Sequence, residues 1–141
     1  MEIGRVARGA ATLGLRSRVT LLGEALLVSF GALLVAALAQ LTIPLRPVPI
    51  TGQTLGVLLV GTWLGRRRGT ASLLAYLALG AAGAPVFAGG RAGLGHLLGP
   101  TGGYLIGFVL SAYAVGALAE RGWLRHPLAC VGALLLGTLL I

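Results

Sequence analysis

The chain has 141 residues, of which 57% are hydrophobic and only 10% are charged. Soluble globular domains carry about 25% charged residues, so this composition argues against a water-soluble domain and indicates a protein embedded in a lipid bilayer. The formal net charge of +8 comes from arginines dispersed between apolar runs, so no basic face with interleaved aromatic residues can be assembled, which argues against nucleic-acid binding.

The N-terminal part divides into a basic tail and a long apolar segment. Residues 1–18 contain four arginines and are predicted to form a cytoplasmic tail, part of which could lie as a surface helix. Residues 19–43 are predicted to form the first membrane helix, which would span about 37 Å before Pro44 ends it. A stripe of small or polar residues at helical spacing would let another helix pack closely in lipid. Its members are Ser29, Ala32, Ala36 and Gln40.

A proline-rich segment and a short apolar run follow. Residues 44–50, PLRPVPI, contain three prolines and are predicted to be extended or turned rather than helical. Residues 52–65 would span only about 21 Å as a helix, a length that also suits a re-entrant segment. We interpret them as a short or tilted spanning helix, because Trp63 and the basic cluster Arg66–Arg68 at their end are typical of a membrane interface.

A glycine-rich stretch separates the next two predicted helices, residues 70–84 and 104–119. Residues 84–104 hold Arg91 as their single charge and are too apolar for a disordered segment. A long loop in a compact domain is usually functional, and glycine lets the backbone approach a ligand closely. We therefore predict a folded cap over a small-molecule site.

The C-terminal part is predicted to contain a polar turn and the start of a fifth helix. Residues 120–127 form the turn, and the helix over residues 128–141 reaches only about 21 Å when the sequence stops. An apolar end without a polar anchor would leave backbone groups unsatisfied in lipid. We therefore expect the chain to be incomplete at its C-terminus.

The arginines predict the orientation in the membrane. With the N-terminus inside, nine of them fall in cytoplasmic segments, and only Arg46 and Arg91 fall in outer loops. This is a strong positive-inside bias. We expect a multi-pass protein of the plasma membrane, with a cytoplasmic N-terminus and with the proline-rich loop and the cap outside.

The residue types support catalysis poorly. The chain has no Asp and only three scattered glutamates, so it cannot cluster the carboxylates of a metal-dependent membrane phosphotransferase. His96 and His126 lie on opposite sides of the membrane in the predicted topology and cannot share a metal. His96 is better interpreted as a hydrogen-bonding loop residue, and Cys130 as a small buried apolar residue. No metal or cofactor is predicted.

Ligand binding is better supported. A buried or half-buried arginine needs an anionic or strongly polar partner, and with no acid nearby a ligand carboxylate or carbonyl would serve Arg91. The alternative is that Arg91 is solvated or bonds loop carbonyls. Gln53, Thr54 and Tyr104 can form hydrogen bonds from helix ends on the same side, although each alone is better explained by helix packing or an interfacial aromatic. Together with Arg91 they predict one pocket on the outer side.

The sequence resembles the BioY family, the biotin-specific S component of energy-coupling factor transporters. Three motifs carry the resemblance. They are IPLRPVPITGQTLGVLL at residues 43–59, GAAGAPVFAGGRAGLG at 80–95 and LGPTGGYLIGF at 98–108. Three extended motifs in the right order are far more specific than a membrane topology alone.

The resemblance implies a fold, a substrate and partners. The fold would be an all-α membrane protein, an S-component bundle of six helices in the family, of which about five are present here. The chain would bind biotin at its extracellular side without being an enzyme, with Arg91 and the neighbouring Gly90 in the site. Ala32 and Ala36 would face a membrane coupling subunit, and two cytoplasmic ATPase subunits would supply the energy.

The sequence departs from the family at its end. The sixth helix of the family carries an acidic and a basic residue that face biotin, and no counterpart follows the fifth predicted helix here. Two alternatives to the biotin reading stay open. One is an S component for a different small vitamin, and the less favoured one is a membrane-embedded enzyme.

Overall fold

The chain folds into helices joined by a narrow hairpin and a folded loop. The computed structural model describes residues 3–45 and 50–141, and over residues 3–19 it describes the backbone alone. The helices and strands in chain order are α1 Ile3–Ala39, β1 Thr42–Ile43, β2 Ile50–Thr51, α2 Gln53–Ala81, α3 Leu94–Leu97, α4 Gly102–Glu120 and α5 Pro127–Leu140.

The first helix differs from the prediction at both ends. α1 continues without a break through residues 3–18, which were predicted as a tail, and only its part from Thr20 to Ala39 is long and apolar enough to cross a membrane. The helix ends at Ala39 rather than at residue 43. The Thr42 hydroxyl donates to the carbonyl oxygen of Ala39 at 2.8 Å, and the chain then enters β1.

A short two-stranded hairpin follows the first helix. β1 and β2 pair antiparallel, with Thr42 opposite Thr51 and Ile43 opposite Ile50. Of the segment predicted to be extended or turned, residues 44–50, only Pro44, Leu45 and Ile50 lie within the described residues, and Ile50 belongs to β2. Arg46, predicted in an outer loop, lies outside the described residues, as do residues 47–49.

Two of the predicted helices form one element that breaks at Gly65. This residue has φ 78° and ψ 179°, a conformation that residues other than glycine rarely adopt. The predicted end of a helix at residue 65 is confirmed, but the next segment resumes at Arg66 and not at residue 70. The Glu120 carboxylate accepts a hydrogen bond from the backbone N–H of Arg66 at 3.0 Å and pairs with its guanidinium at 3.2 Å. This carboxylate therefore satisfies a donor that the break leaves free.

α2 is the central element of the bundle and packs against both α1 and α4, while α5 packs against α4. Glycines allow these close approaches. A Cβ added at Gly61 would lie 3.0 Å from the carbonyl oxygen of Ala112, and one at Gly56 would lie 3.4 Å from the Cα of Val35. Small residues at helix crossings are the usual means of close packing in lipid, where association depends on contact.

Among the described residues, two helices are long and apolar enough to cross a bilayer, by length and composition only. They are Thr20–Ala39 and Gly102–Glu120, and Pro127–Leu140 is a shorter apolar helix. The helices expose large apolar side chains such as Leu26, Leu128 and Leu139. An apolar exterior of this kind suits contact with lipid chains rather than with water.

The predicted stripe on α1 is covered in part by the chain itself. Ala32 is only 2% exposed and belongs to the same buried cluster as Val35. The Ala32 side chain thus packs into the chain's own core, and its contact with a partner subunit stays a prediction that this burial does not support. Ala36 is half-buried against that core, whereas Ser29 and Gln40 are exposed.

Candidate ligand-binding site

The hairpin, the glycine-rich stretch and the first residues of α2 and α4 enclose a cavity of about 620 Å³. Sites for small molecules typically have volumes of about 300–1,000 Å³. Residues of the predicted cap therefore lie along the wall of a space large enough for a vitamin-sized ligand. The residues that line it are Thr42, Pro44, Leu45, Thr51, Gln53, Phe87, Ala88, Gly89, Arg91, His96, Pro100, Thr101, Tyr104 and Leu105.

The cap is a folded segment with short elements of its own. A 3-10 turn over Ala88–Gly90 is closed by the N–H of Phe87, which donates to the carbonyl oxygen of Arg91 at 3.1 Å. Gly89 and Gly90 both have φ near 70°, which permits this tight reversal. Gly90 does not line the cavity, and its contribution is to place Arg91 there.

Phe87 docks the cap onto the bundle. Its side chain is fully buried and fills a slot over Gly80, where an added Cβ would overlap the ring. The ring meets that of Tyr76 edge to face, with centroids 5.6 Å apart. The N–H of Gly93 donates to the carbonyl oxygen of Gly80 at 2.7 Å. Gly80 thus leaves a slot for the Phe87 ring because it has no side chain, and its backbone carbonyl accepts a hydrogen bond from the cap.

A buried chain of polar groups ties the hairpin to the cap. The Thr51 hydroxyl donates to Gln53 Oε1 at 3.1 Å, Gln53 Nε2 donates to the Tyr76 hydroxyl, and that hydroxyl donates to the carbonyl oxygen of Val86 at 3.0 Å. Gln53 is 3% exposed and lines the cavity. Since an amide has two N–H donors, this bonding leaves one N–H of Gln53 for a ligand.

Thr54 and Tyr104 interact with each other. Their hydroxyl oxygens are 3.1 Å apart, and the Tyr104 ring packs edge to face on Phe108 with centroids 4.7 Å apart. Tyr104 lines the cavity, whereas Thr54 does not. Thr54 therefore orients the tyrosine that was predicted beside it as a site residue.

Arg91 and His96 both line the cavity. Arg91 is exposed, and it has no ion pair with any carboxylate among the described side chains. The His96 ring lies on Phe87, with centroids 5.2 Å apart, and its Nε2 is 3.4 Å from the Thr101 hydroxyl oxygen. Burial, together with the positive charge of Arg91, lowers the pKa of His96.

Sequence reasoning placed Gln53, Tyr104 and Arg91 at one site, and the structure brings these three to one cavity. It overlooked Phe87 and treated His96 as an ordinary loop residue. The one signal for both was their position within a few residues of Arg91 in the same glycine-rich stretch. The sequence does not show that Phe87 is buried or that His96 lines a cavity, because both depend on the slot over Gly80.

The model of the BioY family matches residues 10–141 of the chain. The chain belongs to the BioY family. The resemblance found in the three motifs is thereby confirmed. It extends over the fifth helix and well beyond the central segment that carries those motifs.

Relatives that carry the name BioY are similar to this chain. The biotin transporter BioY of Thermotoga maritima is 49% identical over 92 residues, which cover 65% of this chain and 54% of that protein. The probable biotin transporter BioY of Pyrococcus horikoshii is 41% identical over 113 residues, which cover 80% of this chain and 68% of that protein. The chain therefore spans about half the length of the Thermotoga protein.

A solved structure shares the fold. The crystal structure of the S-component for biotin from an ECF-type ABC transporter matches with a TM-score of 0.76 at 30% identity, over 86% of this chain and 68% of that one. The predicted class, an all-α membrane protein with an S-component helical bundle, is confirmed. BioY proteins are transporters, and the family together with the apolar helices makes this chain a membrane protein.

Proposed function

We propose that this chain is the substrate-binding membrane component of a biotin uptake transporter and captures biotin on the extracellular side. The observation that carries the proposal is the cavity of about 620 Å³ with Arg91 on its wall and no carboxylate of the described chain paired to it. A guanidinium without an ion pair, on the wall of a largely apolar cavity, suits a small ligand that carries a carboxylate.

The remaining cavity walls suit the other parts of biotin. Its fused rings are apolar apart from one cyclic urea, which has a carbonyl acceptor and two N–H donors. Leu45 and Leu105 supply apolar surface, and Gln53, Thr51 and Tyr104 supply donors and acceptors. A mostly apolar site with a few placed polar groups is the usual form of a specific small-molecule pocket.

The proposal includes partners and an orientation. A membrane coupling subunit and two cytoplasmic ATPase subunits would drive import, and the chain itself would perform no catalysis. Ala36, half-buried on α1, remains the candidate contact with the coupling subunit. The positive-inside bias supports a cytoplasmic N-terminus in the cell membrane of a bacterium.

Calorimetry on the detergent-purified chain tests the proposal. We expect saturable binding of biotin at one site and no competition from thiamine or riboflavin at equal concentration. Binding of another vitamin in place of biotin would overturn the assigned substrate while leaving a vitamin-binding component. No binding of any vitamin in the panel would overturn the binding role of this chain.

A further inference from the structure

Among the described residues, two basic side chains line the cavity. Arg91 is permanently charged, and His96 can gain a charge near neutral pH. The other polar side chains that line the cavity are uncharged threonines, a glutamine and a tyrosine, and no carboxylate of the described residues lines it. An anion that enters this space meets one fixed positive charge and one that depends on a proton.

The imidazole of His96 is held in place but is not engaged by a strong partner. The Phe87 ring lies against it at 31°, and the only ring hydrogen bond it forms among the described residues is the long one to Thr101, at 3.4 Å. The same Thr101 hydroxyl lies 3.3 Å from the carbonyl oxygen of His96. The ring is therefore oriented by its neighbours and is left with hydrogen-bonding capacity for a ligand.

The groups around His96 determine how it responds to an anion. Among the described residues, Arg91 in the cap is the charged group that acts on His96. Tyr104 at the start of α4 lines the same cavity, and Tyr76 of α2 contacts the Phe87 ring. Burial and the charge of Arg91 lower the pKa of His96, which favours the neutral ring. A carboxylate beside both groups offsets the repulsion and stabilises the imidazolium.

We propose that His96 is a second anion-binding group of the cavity, which takes up one proton from solvent as the ligand carboxylate binds beside Arg91. This inference rests on the proposed function, because it takes biotin as the anionic ligand. By linkage, a proton that is bound more tightly in the complex makes the affinity rise as the pH falls. The carboxylate itself stays ionised down to about pH 5, since carboxyl pKa values lie near 4.

The test measures proton uptake during binding. Biotin is titrated into the protein at pH 7 in two buffers with different ionisation enthalpies, and the difference in observed heat gives the protons taken up. We expect fractional uptake by the wild-type chain and none by His96→Gln. The matched control is His126→Gln, since His126 is exposed and does not line the cavity, and this variant is expected to keep the wild-type uptake.

A second measurement uses the wild-type chain alone, so the proposal stays falsifiable if a variant fails to fold. Between pH 8 and pH 5.5 the affinity for biotin is expected to rise by roughly tenfold, because the complex favours the protonated ring of His96. Biotin methyl ester, which lacks the negative charge, is expected to bind without proton uptake.

Three results would overturn the proposal. They are biotin binding without proton uptake, equal uptake with the methyl ester, and uptake that persists in His96→Gln. Absence of any biotin binding by the wild-type chain is a different result. It overturns the proposed function, and the role of His96 with it.

Discussion

At the scale of single residues, the guanidinium of Arg91 and the hydroxyl of Tyr76 differ in how they are bonded. Arg91 lines the cavity and is unpaired among the described side chains, so its guanidinium is available to a ligand. Tyr76 is fully buried and bonded on both sides, to Gln53 and to the carbonyl oxygen of Val86. We propose that Arg91 recognises the ligand, whereas the Tyr76 hydroxyl ties α2 to the cap.

Arg91→Ala is expected to weaken biotin binding at least tenfold, which corresponds to about 1.4 kcal/mol. The reason is the loss of a charge-assisted hydrogen bond to the carboxylate. Calorimetry measures the change in Kd. Arg67→Ala is the matched control, because Arg67 is exposed and has no ion pair among the described residues. An unchanged Kd for Arg91→Ala would remove this residue from the binding site.

Tyr76→Phe is expected to lower the free energy of unfolding by about 1–3 kcal/mol, because it leaves a buried donor of Gln53 and the acceptor of Val86 without a partner. A lower thermal midpoint in detergent would register the loss. Tyr113→Phe serves as the control, since Tyr113 is 51% exposed and no hydrogen bond of its hydroxyl is seen in the described structure. Equal midpoints for the two variants would contradict the role given to the Tyr76 hydroxyl.

At the scale of elements, the cap is positioned by a helix rather than by its own short turns. α3 has only four residues, and the anchoring contacts run from Phe87 and Gly93 to Gly80 on α2. Gln40, just after α1, adds a hydrogen bond from its Nε2 to the carbonyl oxygen of Phe87 at 3.4 Å. The cavity wall therefore depends on how closely the cap approaches α2.

Gly80→Ala is expected to displace the Phe87 ring and with it the cap, because the new methyl group would overlap that ring. Biotin binding should weaken by at least tenfold, about 1.4 kcal/mol, although Gly80 itself does not line the cavity. Gly103→Ala is the matched control, since Gly103 is exposed on α4 and a Cβ added there would have nothing within 4 Å. Wild-type affinity for Gly80→Ala would show that the slot does not position the cap.

At the scale of the whole molecule, the bundle exposes apolar side chains along its helices, and two ion pairs lie near the break in α2. The Arg68 guanidinium pairs with Glu24, and Arg66 pairs with Glu120. These pairs join α1 to α2 and α2 to α4 at the break after Gly65. All four side chains belong to the cytoplasmic side in the predicted topology, the side opposite the cap and the cavity.

The orientation can be tested by labelling in intact cells with a membrane-impermeant maleimide. In a Cys130→Ala background, Gly95→Cys in the cap is expected to react at once, and Arg67→Cys only after the cells are permeabilised. The reason is that arginine-rich segments remain in the cytoplasm. The reverse labelling pattern would overturn the predicted topology.

The sequence by itself determined the membrane class, the family and the approximate positions of the helices, since apolar run length, proline and glycine are local signals. Glycine at position 65 marked the break in α2 for the same reason. The sequence also indicated Arg91 as a candidate binding residue, because it is the single charge in an apolar stretch. The extension of α1 through residues 3–18 escaped prediction, because a polar, arginine-rich sequence does not distinguish a tail from a continued helix.

Only the tertiary structure decided which side chains meet. Ala32 and Ala36 have equal status in the sequence stripe, but α2 covers Ala32 and leaves Ala36 half-buried. Phe87 and His96 became site residues because the slot over Gly80 brings their segment against α2. Such contacts join residues distant in sequence, and their energies depend on packing that no local pattern records.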